Sequence, residues 1–366
     1  MRISFENPEI TILTYDIASK HCANRTHRLR STLKMTHGKG RDFKKLPPMT
    51  PENVKDGQCV RIVVWVRLCL WDLCSLQLLL LEAERAWAYS QELITSAMQP
   101  ANDDKASSLR HSATGRFRRA VNWSTQLLSL CQTLHASSHL SADSLLQVTV
   151  YTLILNGRFL RYRDEFEDAL LQLCVARNLL DELADRASTS RGQALDTLFA
   201  DDIGPEIRYC AHELGWSKAY DVDGIVKELS SKHRNGIVEG CDALVAQLKH
   251  EGEASDKEEI RKQLDTLIWE GQPVPVRNPE LVDVLLMVQE AETRLEGTNG
   301  QEQDAKGGVA AIDKGKKKEK GSRSKKGVAA YDAILLALSD AEEVARKLVE
   351  AQQVWYLVIT FNSDRL

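Results

Sequence analysis

From Leu76 to about His250 the apolar residues return at helical spacing, in one segment after another, with short polar breaks between the segments. A chain written this way buries its apolar faces by laying helix against helix. The residue types agree with this. Leu, Ala, Glu, Arg and Gln are abundant, the Val/Ile/Thr/Tyr alternation of strands is scarce, and there are only nine prolines. With 366 residues and 43% hydrophobic content, the chain can fill one large core or two ordinary ones.

Helices are expected at about Leu76–Met98, stopped by Pro100, and at Ala106–His135, Asp143–Arg163 and Glu165–Arg186. Further helices follow at Thr189–Leu214, Asp221–Leu229, Glu239–His250 and Asp256–Trp269. Asp143–Arg163 and Glu165–Arg186 form one hairpin, turning near Arg163-Asp164. Gly157 falls where its first helix must approach the second closely, and Ala169 and Ala176 are the small residues of that second helix. This is the pattern of a tetratricopeptide-like unit, although any tight helical hairpin needs small residues at its crossing. The expected fold class is therefore all-α, with antiparallel tetratricopeptide-like hairpins and a basic N-terminal helix.

Residues 1–16 have no clear period and read as an uncertain, non-native start. A helix is expected from Ile17 to about Lys34, where Leu29 and Leu33 form an apolar pair one turn apart. Gly38 and Gly40 end it, and Leu46-Pro47-Pro48 opens an extended linker. The apolar run Val60–Leu81 has the length of a membrane span, but Arg61, Arg67 and Asp72 argue against one. Residues 17–250 thus read as one helical domain, with 58–75 as an insert, and 251–296 as the start of a middle helical region. Residues 297–327 are a Lys/Gly-rich stretch too poor in apolar residues to fold, and 328–366 hold a last helix of a truncated middle region, about Tyr331–Ile359.

A net charge of −4 conceals a strong local imbalance. Between Lys20 and Lys45 lie Arg25, Arg28, Arg30, Lys34, Lys39, Arg41 and Lys44, against the single acid Asp42. Within Arg25-Thr26-His27-Arg28-Leu29-Arg30, Arg28 is one turn from Arg25 and Arg30 one turn from His27, so several helix faces are cationic. Regular A-form RNA has a major groove too deep and narrow for side chains, but a bulge or junction widens it enough to admit an arginine-rich helix. Arg suits that task because its planar fork grips phosphate at two points and stacks on bases. The competing reading is a solvated basic helix with no ligand. Arg110, Arg116, Arg118 and Arg119 form a second basic set, which taken alone reads equally well as a polar helix face. The run Lys314–Lys326 is open between a solubilising linker, a nuclear or nucleolar address and a non-specific RNA tail.

The eight cysteines form no CxxC pair and no Cys/His cluster with zinc-ligand spacing, so neither a metal site nor a disulfide framework is expected, and the protein reads as reduced and intracellular. Nucleotide-binding glycine loops, GxSxG and HExxH are all missing from the sequence. His21 and Cys22 are neighbours, but adjacent helical residues do not face each other, which rules against a nucleophile–base dyad. Asp201-Asp202, before Gly204-Pro205, read as part of a turn or cap. No enzymatic activity, no cofactor and no small-molecule substrate are expected.

Several strings carry a more specific signal. They are His21–Arg30 with Lys34–Lys39; Leu81-Glu82-Ala83-Glu84-Arg85-Ala86-Trp87-Ala88-Tyr89; Gly115–Val121; Ile203-Gly204-Pro205-Glu206-Ile207-Arg208-Tyr209-Cys210-Ala211; and Trp269-Glu270-Gly271 with Val274-Pro275-Val276. In this order, from Lys20 to about Leu286, they resemble the family of the sixty-eight-kilodalton subunit of the eukaryotic signal recognition particle, of fungal type. The resemblance implies a helical domain over 17–250 that docks at a junction of the particle RNA and remodels it. It implies that Arg25, His27, Arg28, Arg30 and Lys34 form the RNA-inserting helix, that Lys39, Arg41, Lys44 and Lys45 extend it, and that Arg116, Arg118 and Arg119 form a second contact. It further implies a seventy-two-kilodalton partner subunit and indirect contact with the ribosome and the ER targeting receptor. The particle would be cytoplasmic, with a nucleolar assembly stage and peripheral association with the ER.

The chain departs from the family's pattern in three places. Residues 1–20 do not match its approach to the arginine helix, 58–75 read as translated intron sequence, and the partner-binding region is expected to be missing. The alternative to RNA binding is a helical protein-interaction scaffold with its peptide groove in the hairpin Asp143–Arg186. The double charge reversal Arg28→Glu with Arg30→Glu is expected to weaken RNA binding and leave the fold intact.

Overall fold

A computed structural model of the chain describes residues 8–33, 74–187, 189–255, 267–269, 272–274, 276, 278–303, 331–332 and 334–350. Among the described residues the fold is all-α apart from one short hairpin of strands, and the chain divides into two compact units.

The first unit comprises residues 1–183 and 200–251. Its helices are α1 (Pro8–Thr32), α2 (Cys74–Ala97), α3 (Ala106–Ala136), α4 (Ala142–Tyr162), α5 (Phe166–Arg186), the C-terminal part of α6 (Ser190–Glu213), α7 (Val222–Ile237) and α8 (Cys241–Ser255). Helix α1 starts well before Ile17, with Pro8 at the first helical position, where its missing N–H costs nothing. Its buried stripe is Tyr15, Cys22, Thr26 and Leu29, one side of a helix laid on α2. Tyr15 meets the Trp87 ring edge-on at 5.8 Å, and Leu29 packs with Leu78 and Leu81, so α1 and α2 run antiparallel.

Consecutive helices keep this alternation. The start of α2 (Leu76, Leu79, Leu80) packs against the end of α3 (Leu127, Leu130, Leu134) and the start of α4 (Leu145, Val148). At the other end, Ala86 and the half-buried Ile94 close on Phe117 and Ala120 of α3 and on Leu155 and Phe159 of α4. Ser141 caps α4 by accepting from the Ser144 N–H, and the α4–α5 turn falls at Asp164, which adopts φ +62°. At Gly157 a β-carbon would stand 2.9 Å from Leu173 Cγ and Cδ2, so glycine is what lets the two backbones close, beside the fully buried Ala169 and Ala176. The hairpin read from the sequence is therefore present.

Further sequence expectations change. Asp201 and Asp202 belong to no turn: both lie within α6, which continues through Gly204 and Pro205. An interior proline removes a backbone hydrogen bond and costs about 3 kcal/mol. Burial of Ile203, Ile207, Cys210 and Ala211, together with the ion pairs described below, outweighs that cost. Helix α7 runs on to Ile237, past the expected end at Leu229, and Arg234 near its end pairs with Asp242 of α8. Leu267–Trp269, expected to end a helix, is instead strand β1, antiparallel to β2 (Gln272–Val274), with Ile268 opposite Pro273.

The second unit comprises 184–199 and 252–366. It holds the first residues of α6, the β1–β2 hairpin, α9 (Pro279–Gln303) and a helix over 334–350. Arg191 forms an ion pair with Asp283, and Ala194, Val282, Ala291 and Ala337 are buried. Helix α9 carries on to Gln303, past Gly297, where the Lys/Gly-rich stretch was expected to begin. Residues 58–73 of the expected insert 58–75, residues 304–330 with the lysine run, and the end of the expected last helix beyond 350 lie outside the described residues, while Cys74 and Ser75 open α2. Among the described residues no helix is long and apolar enough to cross a membrane.

Candidate nucleic-acid interface

The arginine segment of α1 is sorted by its packing. Because Leu29 and Thr26 are buried against α2, residues one position away point elsewhere: His27 and Arg28 are exposed and Arg25 is half-buried. Arg30 turns inward. Its Nη2 meets Glu82 Oε1 at 2.5 Å, with the two side chains 25% and 9% exposed. One string of basic residues thus contains two kinds of arginine, an outward one and an anchored one. Lys34, Lys39, Arg41, Lys44 and Lys45 lie outside the described residues.

The second station is on α3. Phe117 and Ala120 are buried, so the helix presents Arg110, Arg116, Arg118 and Arg119 on its exposed sides. Arg116 places its guanidinium 4.9 Å from the Tyr89 ring centroid, an arrangement that holds the side chain extended while leaving its donors accessible. All 31 residues of α3 pass without one Asp or Glu. Four arginines with no carboxylate on the same helix repel one another, and a polyanion relieves that repulsion. The two stations are fixed to α2 at Glu82 and at Tyr89, about 10 Å apart along its axis, so they form two contacts on one bundle and not a single cluster.

Behind this surface lies a set of charged residues that sequence reasoning assigned no role. Arg158 of α4 donates through Nε to Glu206 at 2.8 Å and through Nη2 to Asp202 at 3.0 Å, both on α6, and Arg161 adds a contact to Glu206 at 3.6 Å. Burial works against the Arg158 charge, but Glu206 and Asp202 outweigh it and hold the group above its ordinary range. Tyr151 donates to Glu84 at 2.7 Å. Burial raises the Glu84 carboxyl above the usual range, and the Tyr151 hydrogen bond and Arg158 offset this only in part. Arg158 and Arg161, set among the apolar residues at the end of α4, were the available signal, since a buried charge is found paired.

The conspicuous strings now have physical roles. In Ala83–Tyr89, Glu84 takes the Tyr151 hydroxyl, Trp87 takes Tyr15 and Tyr89 takes Arg116. In Pro205–Ala211, Glu206 holds Arg158, Ile207 and Cys210 fill the core, and Tyr209 meets Phe166 edge-on at 5.9 Å. Burial pushes the Cys22 thiol up to about 12, which leaves it protonated and a poor nucleophile.

The first unit is a helical bundle that presents outward arginines on two of its helices, α1 and α3. The family model described as RNA-binding signal recognition particle 68 matches residues 15–354, and the chain belongs to this family, which is not one of enzymes. It is 27% identical over 286 residues to the signal recognition particle subunit SRP68 of Drosophila melanogaster, an alignment covering 78% of this chain and 41% of that protein. It is 25% identical over 197 residues to the Dictyostelium discoideum protein of the same name, covering 53% and 28%. The solved SRP68-RBD from Chaetomium thermophilum aligns over 63% of this chain and 100% of its own length, at 17% identity and a TM-score of 0.45. The chain thus spans less than half the length of either full-length relative.

Proposed function

We propose that this chain binds the RNA of the signal recognition particle through the exposed arginines of α1 and α3, docking at a junction of that RNA. The observation that carries this is the carboxylate-free α3 presenting Arg110, Arg116, Arg118 and Arg119 in the same bundle that turns Arg28 and His27 outward. Phosphate contacts of this kind fix register, and an outward arginine on a rigid helix can enter a groove widened at a junction. Lys34, Lys39, Arg41, Lys44 and Lys45 follow α1 in sequence and extend the same positive segment. Remodelling of the RNA by α1 follows from the same chemistry, because seating several guanidinium groups favours the opened groove. The family further suggests a seventy-two-kilodalton partner subunit, indirect engagement of ribosome and ER targeting receptor, and a nucleolar assembly stage before cytosolic work.

The test is a gel-shift titration of the chain against junction RNA and an unrelated duplex at two salt concentrations. Tighter, strongly salt-sensitive binding to the junction is expected. Equal weak binding to both RNAs would remove the proposal and leave the scaffold reading.

A further inference from the structure

We propose that Ser31 is a phosphorylation site for an arginine-directed serine kinase, and that phosphate there competes with RNA for Arg28 and His27. The inference rests on the RNA-binding role of α1. Ser31 is exposed in the last turn of α1, which ends at Thr32. On a helix the residues three and four positions back lie on the same face, about 5–6 Å away between β-carbons. For Ser31 these are Arg28 and His27, the two exposed basic side chains of this stretch. A phosphoserine carries a charge of about −1.5 to −2 and three acceptor oxygens. Placed there, it takes up the donors that would otherwise meet an RNA phosphate.

The sequence around Ser31 supplies the recognition chemistry. Arg28, which is exposed, stands three residues before it, a charge spacing that an acidic kinase cleft selects. The neighbouring Thr32 is the poorer acceptor, since its hydroxyl already donates to the Arg28 carbonyl at 3.1 Å. Access needs only local opening. Among the described residues the closing bond of this helix is Leu33 N–H to the Leu29 carbonyl at 2.9 Å, and terminal turns open at the lowest cost. In the reaction the P–O bond between the γ-phosphoryl group of ATP and the departing ADP breaks, and a new bond forms to Ser31 Oγ. The hydroxyl proton passes to the kinase's base. A phosphate in the last turn also opposes the helix dipole, which loosens the turn that carries Arg28.

The experiment treats the whole native chain with ATP and an arginine-directed serine kinase, locates phosphate by mass spectrometry, and titrates junction RNA before and after. Phosphate on Ser31 is expected, with roughly tenfold weaker RNA binding and a salt dependence shallower by about one contact. Ser31→Ala should accept no phosphate there and bind RNA as tightly as the parent. A chain phosphorylated elsewhere but not at Ser31, or phospho-Ser31 protein with unchanged RNA affinity, overturns the proposal. Arg28→Glu in the unphosphorylated chain is measured alongside. If that variant binds normally, the RNA reading of α1 fails and takes the competition with it, while the mass spectrum still decides whether Ser31 is a substrate.

Discussion

The Arg30 guanidinium meets the Glu82 carboxylate at 2.5 Å across the α1–α2 interface, and this pair fixes which basic side chains of α1 face outward. Arg30 is therefore a positioning residue that sets the rotation of α1 on α2. Arg30→Ala leaves Glu82 largely buried and unpaired. It should cost about 2 kcal/mol, below the roughly 3–5 of a fully buried pair because Arg30 keeps some exposure. Thermal melting by circular dichroism checks this, and an unchanged Tm would show that the pair does not hold the helix. The double reversal Arg28→Glu with Arg30→Glu is consequently a poor probe of RNA binding. It sets a second carboxylate against Glu82 and disturbs the fold as well as the surface.

Glu84 makes stability depend on pH in an unusual direction. Burial raises its carboxyl above the usual range, so the folded state holds a proton that the unfolded state releases. Its contribution is therefore most favourable at low pH and declines as pH rises from about 4 through the raised folded value. Glu84→Gln keeps an acceptor for the Tyr151 hydroxyl and removes the charge. The variant should melt higher than the parent at pH 7, with the gap closing as pH approaches 4. A gap that stays constant across that range would mean the charge of Glu84 is not the cause.

Gly157→Ala tests the closest approach in the α4–α5 hairpin. Alanine is the better helix former by about 1 kcal/mol, so an open site would be stabilised. Here the added methyl would lie 2.9 Å from two atoms of Leu173, which is itself fully buried with little space to yield. The net effect should be a loss of about 1–3 kcal/mol. Leu173→Ala placed on top of Gly157→Ala should cost less than it does in the parent. Chemical denaturation of the four proteins measures that coupling, and strict additivity would count against the contact.

The helices of the first unit were legible because their apolar period is long and each break has its own turn chemistry, as at Ser141 and Arg163-Asp164. What escaped depends on distant partners. The helix over Thr189–Leu214 was legible, but Asp201-Asp202 read as a turn or cap before Gly204-Pro205, whereas they lie inside α6, where Asp202 and Glu206 hold Arg158 from far away in the chain. The segment before Ile17 looked aperiodic, and Tyr15, buried there, finds its partner Trp87 only in the fold. The basic strings were plain in the sequence. Which arginines face outward was not, because charge type does not distinguish Arg28 from Arg30, whereas the seat of Leu29 on α2 and the Glu82 carboxylate do.

The salt dependence of binding separates contact from scaffold. Each phosphate contact contributes about 0.7–0.9 to the slope of log affinity against log salt. Arg28→Glu removes an exposed cation from α1, and Arg118→Glu with Arg119→Glu removes two from α3, and none of these side chains is buried. Both variants should melt like the parent, bind junction RNA several-fold to tens of times more weakly at low salt, and show shallower slopes. Arg30→Ala should do the reverse, lowering Tm while keeping the slope near that of the parent at a temperature where both are folded. If instead the charge reversals weaken binding equally at every salt concentration, their arginines do not neutralise phosphate. The RNA contact would then have to be sought in Lys34–Lys45, whose reversal can be measured on the same junction RNA.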